Sequence, residues 1–214
     1  MPLPLFITKV YEGPDAERRL GELGLSGVAL EEVVLKGEYA RAEHTQHDPI
    51  NAGGLDAYRY CVRGFRDVYC NLGWTIHRDR GLELTRSPCG TMSVLTRAGD
   101  EGVGFRDSFP QPRSLVGETT RDVVEAATLQ LDPNWLNVPK VVPGLASPSI
   151  WMLLVARDGD LVRSELSLPS GFDADGLVDA WIERILLPSI NMADPTANDS
   201  MPVDEIDVPI VRIR

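Results

Sequence analysis

Long apolar runs, a leader-like N-terminus and paired cysteines are all missing from this chain of 214 residues. The longest uninterrupted apolar run covers residues 150–156, far short of the ~18 residues needed to cross a bilayer. The N-terminus lacks the basic start and sustained apolar core of a signal peptide. Three cysteines without a CxxC spacing do not make a disulfide framework, and an odd count fits a reducing compartment. We therefore expect a cytoplasmic protein that makes no membrane contact.

The usual motifs of nucleotide binding and serine hydrolysis are also missing. No GxSxG segment is present, so a catalytic triad has no anchor. The glycines match neither a Walker loop nor a GxGxxG fingerprint. No internal repeat or heptad series occurs, and nothing in the sequence indicates a particular cofactor.

The charge of the chain is negative but unevenly distributed. Its net charge is −11, made up of −3 in residues 1–43, +1 in residues 44–121 and −9 in residues 122–214. An acidic chain is poorly suited to coating nucleic acid, because such binding depends on neutralising phosphates. Nucleic acid is therefore a disfavoured partner, although the middle segment leaves room for a local anion site.

The first third of the chain has the patterns of three helices. Residues 13–24 begin with Gly-Pro-Asp and end at a glycine, as helix starts and stops do. Residues 26–42 form a second candidate helix with a serine cap, although their valine-rich middle also fits a strand. Residues 56–72 have the clearest amphipathic pattern, and Gly73 follows where a helix end is expected.

The rest of the chain is expected to supply the sheet and two further helices. Alternating or apolar segments between turn signals predict strands at residues 3–11, 74–78, 82–86, 91–97, 150–156, 161–168 and 207–213. The two helices are expected over residues 119–131 and from Asp173 or Asp175 to a stop at Pro188. An irregular loop near 98–118 and a polar linker near 189–201 separate these elements.

These elements predict a single α+β domain over residues 1–214. N-terminal helices precede a mainly antiparallel sheet of about five or six strands, with helices packed on one face. The apolar share of 43% and the charged share of 25% are ordinary for a globular chain. A sizeable core is therefore expected.

The helix over residues 56–72 carries a first candidate binding site. Arg59, Arg63 and Arg66 fall within about 60° of one another at ~100° per residue. Guanidinium groups so placed could bind phosphate or an acidic protein surface. Two other interpretations remain open: a solvated helix face, or a face paired within the molecule by carboxylates of the acidic C-terminal part.

The following hairpin carries a candidate acid–base pair. A three-residue loop ending in Gly81 would pair Arg78 with Leu82 and so place His77 opposite Glu83. A carboxylate beside a histidine can orient the ring and raise its basicity. The alternative is an ordinary polar cross-strand pair on a sheet face.

Asp100 and Glu101 are a candidate metal site, because carboxylates at a strand end beside glycines can hold Mg²⁺. Together with Glu83 they suggest a metal-dependent nuclease core, but the lysine that such cores place beside their carboxylates is missing. A solvated loop is the alternative.

All six histidines and cysteines lie in residues 44–89. Their spacing is poor for zinc, and a cysteine on an apolar helix face suits a buried thiol.

Two functions follow from these candidates. The first is an accessory protein that binds a protein or other anionic partner through the arginine-bearing helix face. The second is a metal-assisted hydrolase or nuclease built from His77, Glu83, Asp100 and Glu101, which requires these four residues to converge in one pocket. Homo-oligomerisation is left open by the sequence.

Overall fold

The chain folds into an α+β structure in which three helices precede most of the sheet. The computed structural model describes residues 7–79, 81–128 and 148–193. The helices are α1 (Gly13–Glu22), α2 (Gly27–Ala42), α3 (Ala52–Tyr69) and α4 (Glu118–Thr128). The strands are β1 (Lys9–Tyr11), β2 (Thr75–Asp79), β3 (Leu82–Arg86), β4 (Met92–Ala98), β5 (Ser149–Asp158), β6 (Leu161–Phe172), β7 (Val178–Leu186) and β8 (Ile190–Asn191).

The eight strands of the described chain form one mixed sheet. Seven follow the order β1-β7-β6-β5-β4-β3-β2, and β8 pairs with β6. β1 runs parallel to β7 and β4 parallel to β5, whereas the other neighbouring strands are antiparallel. The predicted α+β class is confirmed, with a sheet that is mainly antiparallel. It has more strands than the five or six expected.

Helices α1, α2 and α3 cover one face of the sheet. Their buried apolar residues pack on strands β4 to β7 and include Leu20, Leu30, Val33, Cys61, Phe65 and Tyr69. Ser26 caps α2 as predicted, because its hydroxyl accepts a hydrogen bond from the Ala29 amide at 3.4 Å. Trp74 closes this layer below α3, with its ring centroid 5.7 Å from Phe65 and 5.4 Å from Tyr69.

The opposite face is covered by residues 99–117 and by α4. Buried residues of this cover are Val103, Val116 and Val124, which pack with Leu95, Met152, Leu154 and Trp181 of the sheet. The Trp181 indole donates to the Pro110 carbonyl at 3.1 Å. The Gln111 side chain bonds both backbone groups of Val178, at 2.8 and 2.9 Å. The irregular loop is therefore a packed layer of the fold, and helices lie on both faces rather than one.

The helix predicted after Asp173 is wrong, because this part of the chain forms strand β7. The apolar positions that fit a helix here are Leu177, Val178, Trp181, Ile182 and Ile185. β7 lies between β6 and β1 and is covered on both faces, so its apolar residues do not alternate with polar ones. Asp173 accepts hydrogen bonds from the amides of Asp175 and Leu177 and so forms a turn instead of a helix cap.

Several sequence predictions fall wholly or partly outside the described residues. They are the strand at 207–213, most of the linker at 189–201, the start of the strand at 3–11 and the end of the helix at 119–131. Within the described part of the chain, no helix combines the length and apolar character that a membrane span requires.

Candidate anion-binding groove

Helix α3 has the two faces that its sequence pattern predicts. The inward side is buried and carries Ala57, Cys61, Val62, Gly64, Phe65 and Tyr69. The arginines project from the other side, where Arg59 and Arg63 are exposed and Arg66 is partly buried. A short 3-10 turn follows the helix and ends at Gly73, whose φ of +89° favours glycine.

A groove of about 460 Å³ lies between the arginine side of α3 and the β2–β3 hairpin. Four arginines line it, namely Arg59, Arg63 and Arg66 from α3 and Arg78 from β2. Two carboxylates, Asp67 and Glu83, and the apolar surfaces of Tyr60 and Ile76 also contribute to its wall. The groove thus combines an excess of positive charge with apolar surface, in a chain whose net charge is −11.

Arg66 fixes the floor of the groove. Its Nη2 atom lies 2.7 Å from Glu83 Oε2, and only 14% of its side chain is exposed. Arg78 donates to the same carboxylate at 3.0 Å from the other side. The hydrogen bond from Arg66, together with that from Arg78, lowers the pKa of Glu83. Arg66 therefore joins α3 to the hairpin and is engaged within the molecule.

Arg59 and Arg63 are held much more loosely. Arg59 pairs with Asp56 at 2.8 Å and Arg63 lies 3.8 Å from Asp67, while 62% and 71% of their side chains are exposed. Exposed pairs of this kind contribute only about 0–1 kcal/mol, so an incoming anion can replace them. Both guanidinium carbons lie 5.9 Å from the Tyr60 ring centroid. This contact orients the two cations beside the groove.

The carboxylates that pair with the three arginines come from α3 and β3. They are Asp56, Asp67 and Glu83, all in the middle segment of the sequence. Intramolecular pairing is thus correct for Arg66, but its partner does not come from the acidic C-terminal part. The −9 charge of residues 122–214 is not what holds this helix face in the described structure.

The predicted pairing of His77 with Glu83 is wrong by one residue. Asp79 pairs with Leu82, so the hairpin loop has two residues instead of three, and His77 lies opposite Leu84. Arg78 takes the place opposite Glu83. Because side chains alternate between the faces of a strand, His77 and Glu83 lie on opposite faces.

Asp100 and Glu101 do not join Glu83. They lie in the layer that covers the second face of the sheet, whereas Glu83 faces α3. Asp100 accepts a hydrogen bond from the Gly102 amide at 3.0 Å, and the Glu101 carbonyl accepts one from Arg163 at 3.4 Å. Both therefore contribute to the local shape of the loop.

No group of three or more His, Cys, Asp or Glu side chains within the described ranges is arranged to hold a metal ion. The three cysteines are free thiols. Burial raises the pKa of Cys61 to about 12, which fits the buried structural thiol expected from its position on the apolar side of the helix. The histidines and cysteines of residues 44–89 therefore give no zinc ligand set.

Sequence reasoning missed Arg78, Tyr60 and Ile76 as parts of the site. The predicted hairpin register paired Arg78 with Leu82, whereas the structure places Arg78 opposite Glu83 and Ile76 opposite Thr85. A two-residue loop would have placed Arg78 opposite Glu83, a pairing of opposite charges that is favourable across strands. Tyr60 is adjacent to Arg59 and three residues before Arg63, and side chains three residues apart are neighbours on a helix, so the helical pattern could have indicated its contact with these arginines.

We expect Glu83→Gln to weaken the acid sensitivity of folding. Since Arg66 and Arg78 lower the pKa of Glu83, this carboxylate stabilises the fold above its unfolded pKa of about 4.3 and loses that contribution as the pH falls through the folded pKa. Because Glu83 is partly exposed, we expect the substitution to lower the free energy of unfolding at pH 7 by less than about 1 kcal/mol. Urea unfolding at pH 7 and pH 3 measures it. If the difference in unfolding free energy between pH 7 and pH 3 were the same in the variant and in the unaltered protein, the stabilising role of the ionised Glu83 would be contradicted.

No protein-family model, curated protein or solved structure matches the chain. Its function is therefore inferred from the geometry and charge of the groove.

Proposed function

We propose that this chain is a non-enzymatic accessory protein that binds an anionic partner, an acidic protein segment above all, through the groove between α3 and the β2–β3 hairpin. The observation that carries the proposal is the pair of exposed guanidinium groups on Arg59 and Arg63. Among the described residues, their ion pairs are weak surface contacts to Asp56 and Asp67, and both lie against Tyr60.

Charge supports an anionic partner. The groove presents four arginines and two carboxylates, although acids outnumber basic residues by 32 to 21 in the whole chain. A cationic site on an acidic protein attracts an anion locally while the remaining surface repels it, which favours one docking orientation. Arginine also binds carboxylates through two parallel hydrogen bonds.

The wall of the groove favours a protein over a nucleic acid. Asp67 and Glu83 would repel a continuous phosphate backbone, and the exposed apolar surface of Ile76 and Tyr60 offers contact to an apolar side chain. Interfaces between proteins are enriched in tyrosine and arginine. We place this binding in the cytoplasm, since three free thiols suit a reducing compartment.

The Arg59→Ala/Arg63→Ala double variant should bind an acidic peptide at least about tenfold more weakly than the unaltered protein, because it removes two charge-assisted contacts. The probe is the dye-labelled peptide GTDTITDTG, titrated by fluorescence anisotropy at low salt. The melting temperature should change little, since both side chains are mostly exposed.

The matched control is Arg18→Ala/Arg106→Ala. Arg18 is also 62% exposed and also pairs with an aspartate three residues earlier, and Arg106 forms an exposed pair with Glu12, but neither lines the groove. This variant should keep the affinity of the unaltered protein. If both variants lost affinity for the peptide equally, the effect would come from the change in net charge alone, and the proposal would be contradicted. Tighter binding of a 20-nucleotide single-stranded DNA, lost in the same groove variant, would instead assign the groove to nucleic acid.

A further inference from the structure

Strand β2 lies at the outer edge of the sheet, next to the groove. It pairs with β3 on one side, and within the described residues no strand pairs with its other side. An unpaired edge presents a row of backbone donors and acceptors that an additional strand can bind. One side of the groove therefore offers backbone hydrogen-bonding groups in addition to side chains.

The hairpin register determines which backbone groups face outward. A two-residue loop makes Asp79 and Leu82 a hydrogen-bonded pair, and such pairs alternate along an antiparallel ladder. His77 and Thr75 are therefore also bonded to β3. The amide and carbonyl groups of Ile76 and Arg78 consequently point away from β3, toward the free edge.

The same two residues line the groove with their side chains. A strand added to β2 would thus take backbone hydrogen bonds from Ile76 and Arg78. The added residues directly opposite them would place their side chains on the groove face, about 4.5–5.5 Å from those of Ile76 and Arg78. Ile76 and Arg78 would therefore contact both the backbone and the side chains of the added strand.

We propose that the partner segment binds as an extended strand added antiparallel to the edge of β2, with an acidic residue opposite Arg78 and an apolar residue opposite Ile76. This inference rests on the proposed function and names the binding mode. The acidic residue lies beside the exposed cations of Arg78 and Arg63, and the apolar residue meets Ile76 and Tyr60. The pattern required is acidic and apolar at alternate positions, which is the spacing that one face of a strand presents.

Charge argues against a second copy of this chain as the occupant. Antiparallel pairing of two β2 edges about a twofold axis would continue the sheet and bring two α3 helices to the same face. The arginines of both copies would then face each other, and like charges in such positions are destabilising. An acidic segment has the complementary charge.

Backbone methylation of the peptide GTDTITDTG tests the binding mode. In the antiparallel direction, with its central isoleucine opposite Ile76, the first aspartate of the peptide falls opposite Arg78, and both peptide residues form hydrogen-bonded pairs with β2. Methylating the amides of the isoleucine and that aspartate removes donors that face β2, and we expect at least about tenfold weaker binding. Methylating two threonine amides adds the same number of methyl groups on the solvent side, and we expect the affinity to be kept.

Hydrogen exchange provides a second readout on the unaltered protein. Saturating peptide should slow exchange at the amides of Ile76 and Arg78. Equal affinity of the two methylated peptides, with exchange at these amides unchanged, would overturn strand addition. The proposed function would still stand if the Arg59→Ala/Arg63→Ala variant weakened binding in that case. Absence of any binding by the unmethylated peptide would overturn both.

Discussion

Replacing Arg184 by methionine is expected to lower the free energy of unfolding by about 3–5 kcal/mol, the usual result of removing one partner from a buried ion pair. Arg184 is 2% exposed and Glu165 is fully buried. The arginine Nε and Nη2 atoms bond the two carboxylate oxygens at 2.9 and 2.7 Å. Without the guanidinium, the donors left to Glu165 among the described residues would be the Gly104 amide and the Ser167 hydroxyl.

The same arginine joins the sheet to the layer formed by residues 99–117. It donates to the carbonyl oxygens of Ser108 at 2.7 Å, Phe105 at 3.0 Å and Arg106 at 3.4 Å. The variant should therefore speed amide exchange in that layer more than in α3. Such a regional effect is expected because the loop has lost backbone partners as well as charge.

Urea unfolding measures the loss, with Arg106→Met as the control. Arg106 is an exposed arginine in the same layer, paired only at the surface with Glu12, and its replacement should change stability by less than about 1 kcal/mol. The Glu165→Met/Arg184→Met double variant should recover part of the loss, because it leaves no unpaired buried charge. A loss below about 1 kcal/mol for Arg184→Met alone would contradict the role assigned to the pair.

This buried pair also explains why the C-terminal half was harder to predict than the N-terminal half. Helix α3 has one buried side and its apolar residues repeat at the helical period, so the helix could be predicted, although it begins at Ala52, four residues before the predicted start. The bounds of α2 followed from its serine cap rather than from apolar periodicity. Strand β7 is buried on both faces and carries Glu183 and Arg184 within it. Its charges are neutralised by Arg19 of α1 and Glu165 of β6, partners far away in sequence that no local pattern indicates.

The register of the β2–β3 hairpin, which forms one side of the groove, was also hard to predict from the sequence. The arginine side of α3 followed from helical geometry alone, and the structure gives the three arginines the shared side that was expected. The hairpin was also correctly located. Its register depended on a loop that was one residue shorter than predicted, and a slip of one residue moves every side chain to the other face. That slip exchanged His77 for Arg78 opposite Glu83 and so replaced an apparent acid–base pair by an ion pair.

Gly37 of α2 is the second position where a small change should have a large effect, and Gly37→Ala should destabilise the protein by about 1–3 kcal/mol. A Cβ atom at this position would lie 2.8 Å from the backbone oxygen of Ala57 and would overlap the Cys61 sulfur. The thiol could rotate away, but the Ala57 carbonyl belongs to α3 and cannot move without the helix. The close packing of α2 on α3 therefore requires glycine here.

Gly21→Ala is the matched control, since Gly21 also lies in a helix but an added Cβ would meet nothing within 4 Å. Alanine is a better helix former than glycine by up to about 1 kcal/mol, so this variant should be neutral or stabilised. Both variants replace a helical glycine by alanine, so the same change in helix propensity applies to each. The difference between their stabilities, measured by thermal and urea unfolding, therefore gives the steric effect. Stabilisation by Gly37→Ala as well would mean that α2 and α3 can separate at little cost. The α3 scaffold would then be too compliant to hold Arg59 and Arg63 in a fixed groove.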